Sequence, residues 1–277
     1  MREFTTSDGL TLHHLDAPGE GPPILCLPGL TRNAFDFDEL AAALPGRRLI
    51  RLTFRGRSPS DYDPDWRNYA IGVEAGDVAA FLDWLGLDRV VIVGTSRGGL
   101  VAMALAATAK DRLAGVLLND VGPEIAAEGL DRIRTYVGVA PRAASFEALA
   151  GGLGAMLGPQ FPDLGPADWL RLARRWFVEG PDGRPALAYD PALGRAFGAD
   201  YADPEPMWRE FDALAGVPLA VVRGETSDIL SRETLAEMAR RRPDAIVAEV
   251  PRRGHVPFLD EPEALDALRG LLERVRA

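Results

Sequence analysis

Short apolar runs rich in β-branched residues recur along the chain, at positions 23–27, 49–53, 90–94, 116–119, 218–223 and 246–250. Runs this short and this continuous suit strands buried on both faces, and helical segments lie between them, which predicts a parallel sheet covered on both sides. Two further runs, 3–6 and 11–15, flank Ser7-Asp8-Gly9, a turn sequence that predicts an antiparallel hairpin. The expected sheet is therefore mixed, with about eight strands. Helical spacing is clearest at 81–85, 100–107, 231–241 and 262–275. In the last of these Leu265, Leu268, Leu271, Leu272 and Val275 form one face, leaving Glu263, Asp266, Arg269 and Glu273 to water. Ser231 is placed to cap its helix, and Pro262 suits a first turn.

Between residues 122 and 211 the alternation stops. Prolines and glycines accumulate there, with amphipathic pieces such as 168–177, which carries Trp169, Leu170, Leu172, Trp176 and Phe177. The pattern predicts an α/β core made of residues 1–121 and 212–277, and a helical cap of residues 122–211 inserted between two strands to cover a substrate.

Composition narrows the classes. A chain of 277 residues fits one α/β core with an insertion. With 31 basic against 41 acidic residues the formal charge is −10, which argues against phosphate backbones and anionic lipid, so neither nucleic acid nor membrane is an expected partner. The first 12 residues lack the basic start and apolar stretch of a secretory signal, and one cysteine precludes an internal disulfide; the expectation is a cytoplasmic protein. That cysteine, Cys26, lies within an apolar run and is expected to be a buried, inert thiol. Three histidines and one cysteine give no metal-ligand cluster, and no cofactor is expected.

The chemistry concentrates at V-V-I-V-G-T-S-R-G-G, residues 90–99. Gly94, Ser96 and Gly98 form G-x-S-x-G between a strand and a helix, the pattern of a nucleophile elbow, and make Ser96 the candidate nucleophile. A serine hydroxyl needs a base and a group to orient that base. His13 and His14 fall in the amino-terminal hairpin, which leaves His255, in the loop after the run 246–250, as the candidate base. Two carboxylates follow strands at the appropriate end of the sheet: Asp228, favoured as the acid, and Asp120, its alternative and otherwise a loop anchor. An oxyanion would be held by the backbone N–H groups of Arg97 and of Leu30, in the sharp turn Pro28-Gly29-Leu30-Thr31.

The segments L-P-G-L-T-R-N-A-F-D-F, F-R-G-R-S-P-S-D-Y, G-T-S-R-G-G and G-H-V-P-F-L-D-E-P resemble those of the capped α/β-hydrolase family over nearly all of the core. The resemblance implies an eight-stranded sheet, a lid after the sixth strand and a Ser-His-Asp triad of Ser96, His255 and Asp228. Three positions depart from the family pattern: Pro28-Gly29 replaces a histidine-glycine pair, Thr53 stands where an aspartate is common, and Arg97 stands where an apolar or amide residue is commoner. The favoured role for the Arg97 side chain is a structural pair with Asp36 or Asp38. The alternative has it meet a substrate carboxylate together with Arg32.

The leading expectation is a cofactor-independent hydrolase of carboxylic esters or lactones of a small, moderately apolar substrate, acting through an acyl-enzyme as a monomer or homodimer. Arg32, Trp169, Trp176, Tyr189 and Trp208 are the candidate substrate contacts. The same triad serves amides and carbon–carbon bonds next to a ketone. From a different class, a hydrolase-fold ligand receptor shares the architecture.

Overall fold

The computed structural model describes residues 1–200 and 207–276; residues 201–206 of the expected cap and residue 277 of the expected core lie outside them. β1 (Arg2–Thr5) and β2 (Thr11–Ala17) pair antiparallel across the Ser7-Asp8-Gly9 turn, with Phe4 opposite Leu12. Then β3 (Glu20–Leu27), α1 (Asp38–Ala43), β4 (Arg47–Leu52), α2 (Ile71–Trp84), β5 (Val90–Thr95), α3 (Arg97–Ala109) and β6 (Leu113–Asn119) alternate. The next stretch holds α4 (Ala127–Tyr136), α5 (Phe146–Leu157), α6 (Pro166–Trp176), a small hairpin of β7 (Phe177–Glu179) and β8 (Pro185–Leu187), α7 (Leu193–Asp200) and α8 (Trp208–Asp212). The alternation resumes with β9 (Leu219–Gly224), α9 (Arg232–Arg241), β10 (Ile246–Val250) and α10 (Pro262–Arg276).

Eight strands form one sheet in the order β1-β2-β4-β3-β5-β6-β9-β10. The six from β4 to β10 in that order are parallel, and β2 runs against both of its neighbours. Chain order reverses between β3 and β5, so the loops leaving their carboxyl ends, after Leu27 and Thr95, diverge and open a crevice.

Side chains alternate across the sheet. Leu25, Leu27 and Ile92 pack with α2 and α3 on one face, while Ile24, Cys26 and Val93 pack with α1 and α10 on the other. Cys26 is fully buried there, and burial raises its thiol pKa far above the usual range. Ser231 caps α9 by accepting the Thr234 N–H at 2.9 Å. The helices after β6 build a small core of their own, in which Phe146, Leu153, Phe161, Trp169 and Leu172 meet.

The largest departure from the predicted elements is α2, which begins at Ile71 rather than near residue 81. Its first turns carry Glu74 and Asp77 on the inward face, so charge interrupts the apolar periodicity that would announce a helix. Both carboxylates are met by buried arginines. Arg55, 1% exposed, donates to both oxygens of Asp77 at 2.7 Å, to Asp63 at 2.8 Å and to Asp8 at 2.8 Å. Glu74, fully buried, accepts from Arg57 Nη1 at 2.5 Å and from Arg97 Nε at 2.7 Å. Arg57 also donates to the carbonyls of Leu30 at 2.7 Å and Arg55 at 2.6 Å, and Arg97 donates to the carbonyl of Tyr69. One carboxylate thus balances two guanidinium groups beneath the start of α3.

His14 is buried the opposite way, with no hydrogen-bonded counter-ion among the described residues. It is inaccessible to solvent, neither ring nitrogen has a hydrogen-bond partner among the described residues, and its ring lies edge-on to Phe81 and Trp84 at 4.9 and 5.6 Å. Burial lowers its pKa below the usual 6.5.

Two stability measurements follow from these buried groups. Glu74→Gln removes the carboxylate shared by two buried guanidinium groups, and equilibrium urea unfolding should show a loss of about 3–5 kcal/mol. Acidification protonates His14 in the unfolded chain as the pH falls through about 6.5, while the folded chain resists the proton; stability is full above that value and declines below it. In His14→Phe the fall in thermal midpoint between about pH 7.5 and 5.5 should be shallower than in the wild type.

Candidate active site

Ser96 follows the last residue of β5 and precedes the first of α3, with φ 51° and ψ −116°. A side chain in that region is strained, and the close crossing of strand and helix holds it there. A Cβ on Gly94 would lie 2.6 Å from the carbonyl oxygen of Gly98, and one on Gly98 would lie 2.1 Å from that of Leu27. Neither position admits a larger residue without backbone movement, which explains the glycines of the motif.

His255 stands in the loop between β10 and α10, 11% exposed at its side chain. Its Nδ1 lies 2.7 Å from Asp120 Oδ2 and its Nε2 lies 2.9 Å from Ser96 Oγ. A carboxylate can only accept, so Nδ1 carries the proton and Nε2 of the neutral ring is the acceptor for the serine hydroxyl. Glu261 clamps this loop by accepting from the N–H groups of Phe258 and Leu259 at 3.0 and 2.9 Å and from Arg253 Nε at 2.9 Å. Asn119 adds a tie from β6, donating to the carbonyl of Pro257 at 3.0 Å.

The acid facing His255 corrects the sequence-based preference. It is Asp120, the residue immediately after β6, and not Asp228. Asp120 is fully buried with φ 56°, a conformation that aspartate tolerates better than most residues. Its Oδ1 accepts the Gly224 N–H at 2.8 Å, and its Oδ2 accepts the Ser227 hydroxyl at 2.6 Å as well as the imidazole. Asp228 is turned away and makes a two-point pair with Arg132 of α4 at 2.5 and 2.7 Å. Chain order favoured neither residue, since both lie between Ser96 and His255. The available signal was distance from the strand: Asp120 adjoins the end of β6, whereas three residues of loop separate Asp228 from β9. Sequence reasoning missed Ser227 and Gly224, whose loop supports Asp120 rather than supplying the acid.

The Pro28-Gly29-Leu30-Thr31 turn lies against the elbow. A Cβ on Gly29 would sit 3.8 Å from Ser96 Cβ and 3.6 Å from Arg32 Cγ. The carbonyl of Leu30 is held by Arg57, and the Leu30 N–H donates to no protein acceptor among the described residues. Thr53, in the position where an aspartate is common, accepts the Ala34 N–H through its hydroxyl at 3.1 Å and so ties the same loop down. The Arg97 side chain does form a structural pair, but its partner is Glu74. Asp36 accepts instead from Trp176 Nε1 at 3.2 Å, and Asp38 pairs with Arg51. The two expected partners are therefore a correction, with the reason visible in α2: Glu74 comes from a helix whose buried charges hide it.

Above Ser96 and His255 opens a cavity of about 400 Å³, whose far walls come from α4, α5 and α6. Ile133, Leu149, Leu153, Leu157 and Leu172 make most of these walls apolar. Arg32, Trp176 and Tyr189, three of the predicted contacts, line it as well. Trp169 and Trp208 do not, which corrects the other two. Trp169 is spent on helix packing, edge-on to Phe161 at 6.2 Å, and Trp208 packs on Phe211 at 5.9 Å under Arg241. Tyr136, which the sequence did not single out, lines the cavity too.

Among the described residues no group of three His, Cys, Asp or Glu side chains is arranged to hold a metal ion, and no helix is long and apolar enough to cross a membrane. Comparison with known proteins agrees with the architecture. The chain is 35% identical to a 3-hydroxybutyrate-oligomer hydrolase of Cupriavidus necator, over 91% of this chain and 89% of that protein. It is 30% identical to a 2-(acetamidomethylene)succinate hydrolase of Mesorhizobium japonicum, over 86% and 82%. A crystal structure of an alpha/beta hydrolase from Novosphingobium aromaticivorans superposes with a TM-score of 0.91 at 45% identity, covering 99% of this chain and 97% of that one. Residues 24–268 match the model of the alpha/beta hydrolase family, and the chain belongs to that family.

Proposed function

We propose that the chain hydrolyses carboxylic esters of small molecules through an acyl-enzyme on Ser96, with His255 as the base and Asp120 as the orienting acid. The observation that carries this reading is the unbroken hydrogen-bonded series from Ser96 Oγ through the imidazole to Asp120, at 2.9 and 2.7 Å. In that arrangement the serine oxygen attacks the acyl carbon as its proton passes to Nε2. The imidazolium so formed is stabilised by the buried carboxylate at Nδ1 and returns the proton to the leaving alkoxide. Water, deprotonated in turn by Nε2, then releases the acid. The N–H groups of Leu30 and Arg97 receive the oxyanion, and because both are main-chain groups their positions depend on how the two loops are held.

The inserted segment, residues 122–211, acts as the cap: its helices close the cavity over Ser96 and restrict the substrate to a small, largely apolar body. An ester is the favoured bond because the Cupriavidus necator relative is named for cleaving an oligomer of a hydroxy acid. A receptor on the same fold would bind without turning over, and steady-state kinetics separates the two.

Three variants test the assignment on a p-nitrophenyl ester of a short acid. Ser96→Ala should lower kcat by about 10⁴ or more, and near-wild-type turnover by this variant would overturn the proposal. Asp120→Asn, which keeps the shape but loses the charge, should cost about 10⁴ in kcat. Asp228→Asn should stay within about tenfold of the wild type, since its carboxylate meets Arg132 and not the imidazole. Equal losses in the two aspartate variants would remove Asp120 from its role.

A further inference from the structure

Three guanidinium groups line the cavity above Ser96, and they are not equivalent. Arg132 is spent on both oxygens of Asp228, and Arg175 donates to Glu39 at 2.5 Å with Asp38 beside it. Arg32 makes no side-chain hydrogen bond to the protein among the described residues. Its nearest carboxylate oxygen is Asp36 Oδ2, 3.7 Å from Nε and beyond hydrogen-bond reach. Asp36 is a poor counter-ion, because burial raises its carboxyl pKa and its other oxygen is engaged by Trp176.

What holds Arg32 is the ring of Trp176, 3.7 Å below the guanidinium carbon. Stacking of this kind fixes the plane of the fork while leaving its N–H edges available, the geometry suited to two-point recognition of a carboxylate. The Tyr136 hydroxyl is a second donor lining the cavity with no protein partner among the described residues, and burial keeps it protonated. The stem of Arg32 and Ser96 flank Gly29, so an anion held here lies only a few bonds from the reacting carbonyl.

We propose that Arg32, laid on Trp176, is the receptor for a carboxylate carried by the substrate, and that the enzyme acts on short esters with a free acid at one end. The rest of the cavity takes the apolar body between that anion and the scissile bond. A guanidinium with unspent donors in a largely apolar chamber discriminates against a neutral end, because binding such a substrate desolvates the charge without replacing its hydrogen bonds. Substrate class is thus set beside the nucleophile.

This inference rests on the ester reading, and the test keeps the two apart. Two substrate pairs are compared, one with the carboxylate in the acyl part (mono-p-nitrophenyl glutarate) and one with it in the alcohol part (3-butyryloxybutanoate), each against its methyl ester. In at least one pair the wild type should favour the free acid in kcat/KM, and Arg32→Gln should lower that acid-to-methyl ratio by about 10- to 100-fold, with Arg32→Lys between them. A wild type that favours the methyl ester in both pairs, or a ratio untouched by Arg32→Gln, would overturn it. If no ester turns over, the ester reading fails by itself. The anion site is then judged by calorimetry on Ser96→Ala, where 3-butyryloxybutanoate should bind at least about tenfold tighter than its methyl ester only while Arg32 is present. Equal binding of acid and methyl ester would sink the site as well.

Discussion

The carboxylate of Glu74 is the anion on which the geometry around Ser96 depends. It lies wholly out of water between Arg57 and Arg97, and through them it touches both sides of the nucleophile. Arg57 passes the constraint to the Leu30 carbonyl, and Arg97 is itself the residue after Ser96. Removing two cations and one anion from water costs several kcal/mol per ion, a cost offset here by short charge-assisted bonds and by the backbone carbonyls of Leu30, Arg55 and Tyr69, while Arg57 Nη2 is left without a partner among the described residues. The cluster sets two guanidinium groups beneath the loops that would meet an oxyanion, and positive charge is the sign such a site requires.

A second constraint acts at the carboxyl ends of β6, β9 and β10. Asp120 leaves its strand in a left-handed conformation and receives one hydrogen bond from the backbone of Gly224, one from Ser227 and one from His255. Two of the donors belong to the turn after β9 and the third to the loop after β10, so the carboxylate sets the spacing of neighbouring loops as well as the orientation of the ring. Asp228 serves that arrangement indirectly: by pairing with Arg132 it joins the loop after β9 to the first helix of the inserted segment. Two carboxylates offered by the same side of the sheet are thereby divided, one turned inward to the imidazole and one outward to α4.

The chamber shows the same division among cations. Arg132 and Arg175, which tie the inserted helices to the core, are paired with carboxylates, whereas Arg32 rests on an aromatic face and makes no side-chain hydrogen bond among the described residues. A guanidinium placed on a ring is oriented without being neutralised, and that distinguishes a recognising charge from a supporting one.

Local pattern determined a large part of this protein. The β-branched runs gave the parallel strands, the Ser7-Asp8-Gly9 turn gave the hairpin, and glycines on both sides of Ser96 marked a strand and a helix crossing too closely for any larger residue. These features depend on residues near one another in the chain, and so does the placing of His255 in a loop at a strand end. Tertiary structure alone decided the rest. Whether Asp120 or Asp228 faces the imidazole depends on Arg132, 96 residues from Asp228 in sequence. The start of α2 is concealed because its buried face carries charge whose partners lie on other elements. Which tryptophans reach the cavity depends on how α6 and α8 roll against their neighbours. Apolar periodicity reports that a position is buried without naming its neighbours, and a charged side chain at such a position finds its counter-ion only once distant segments have packed.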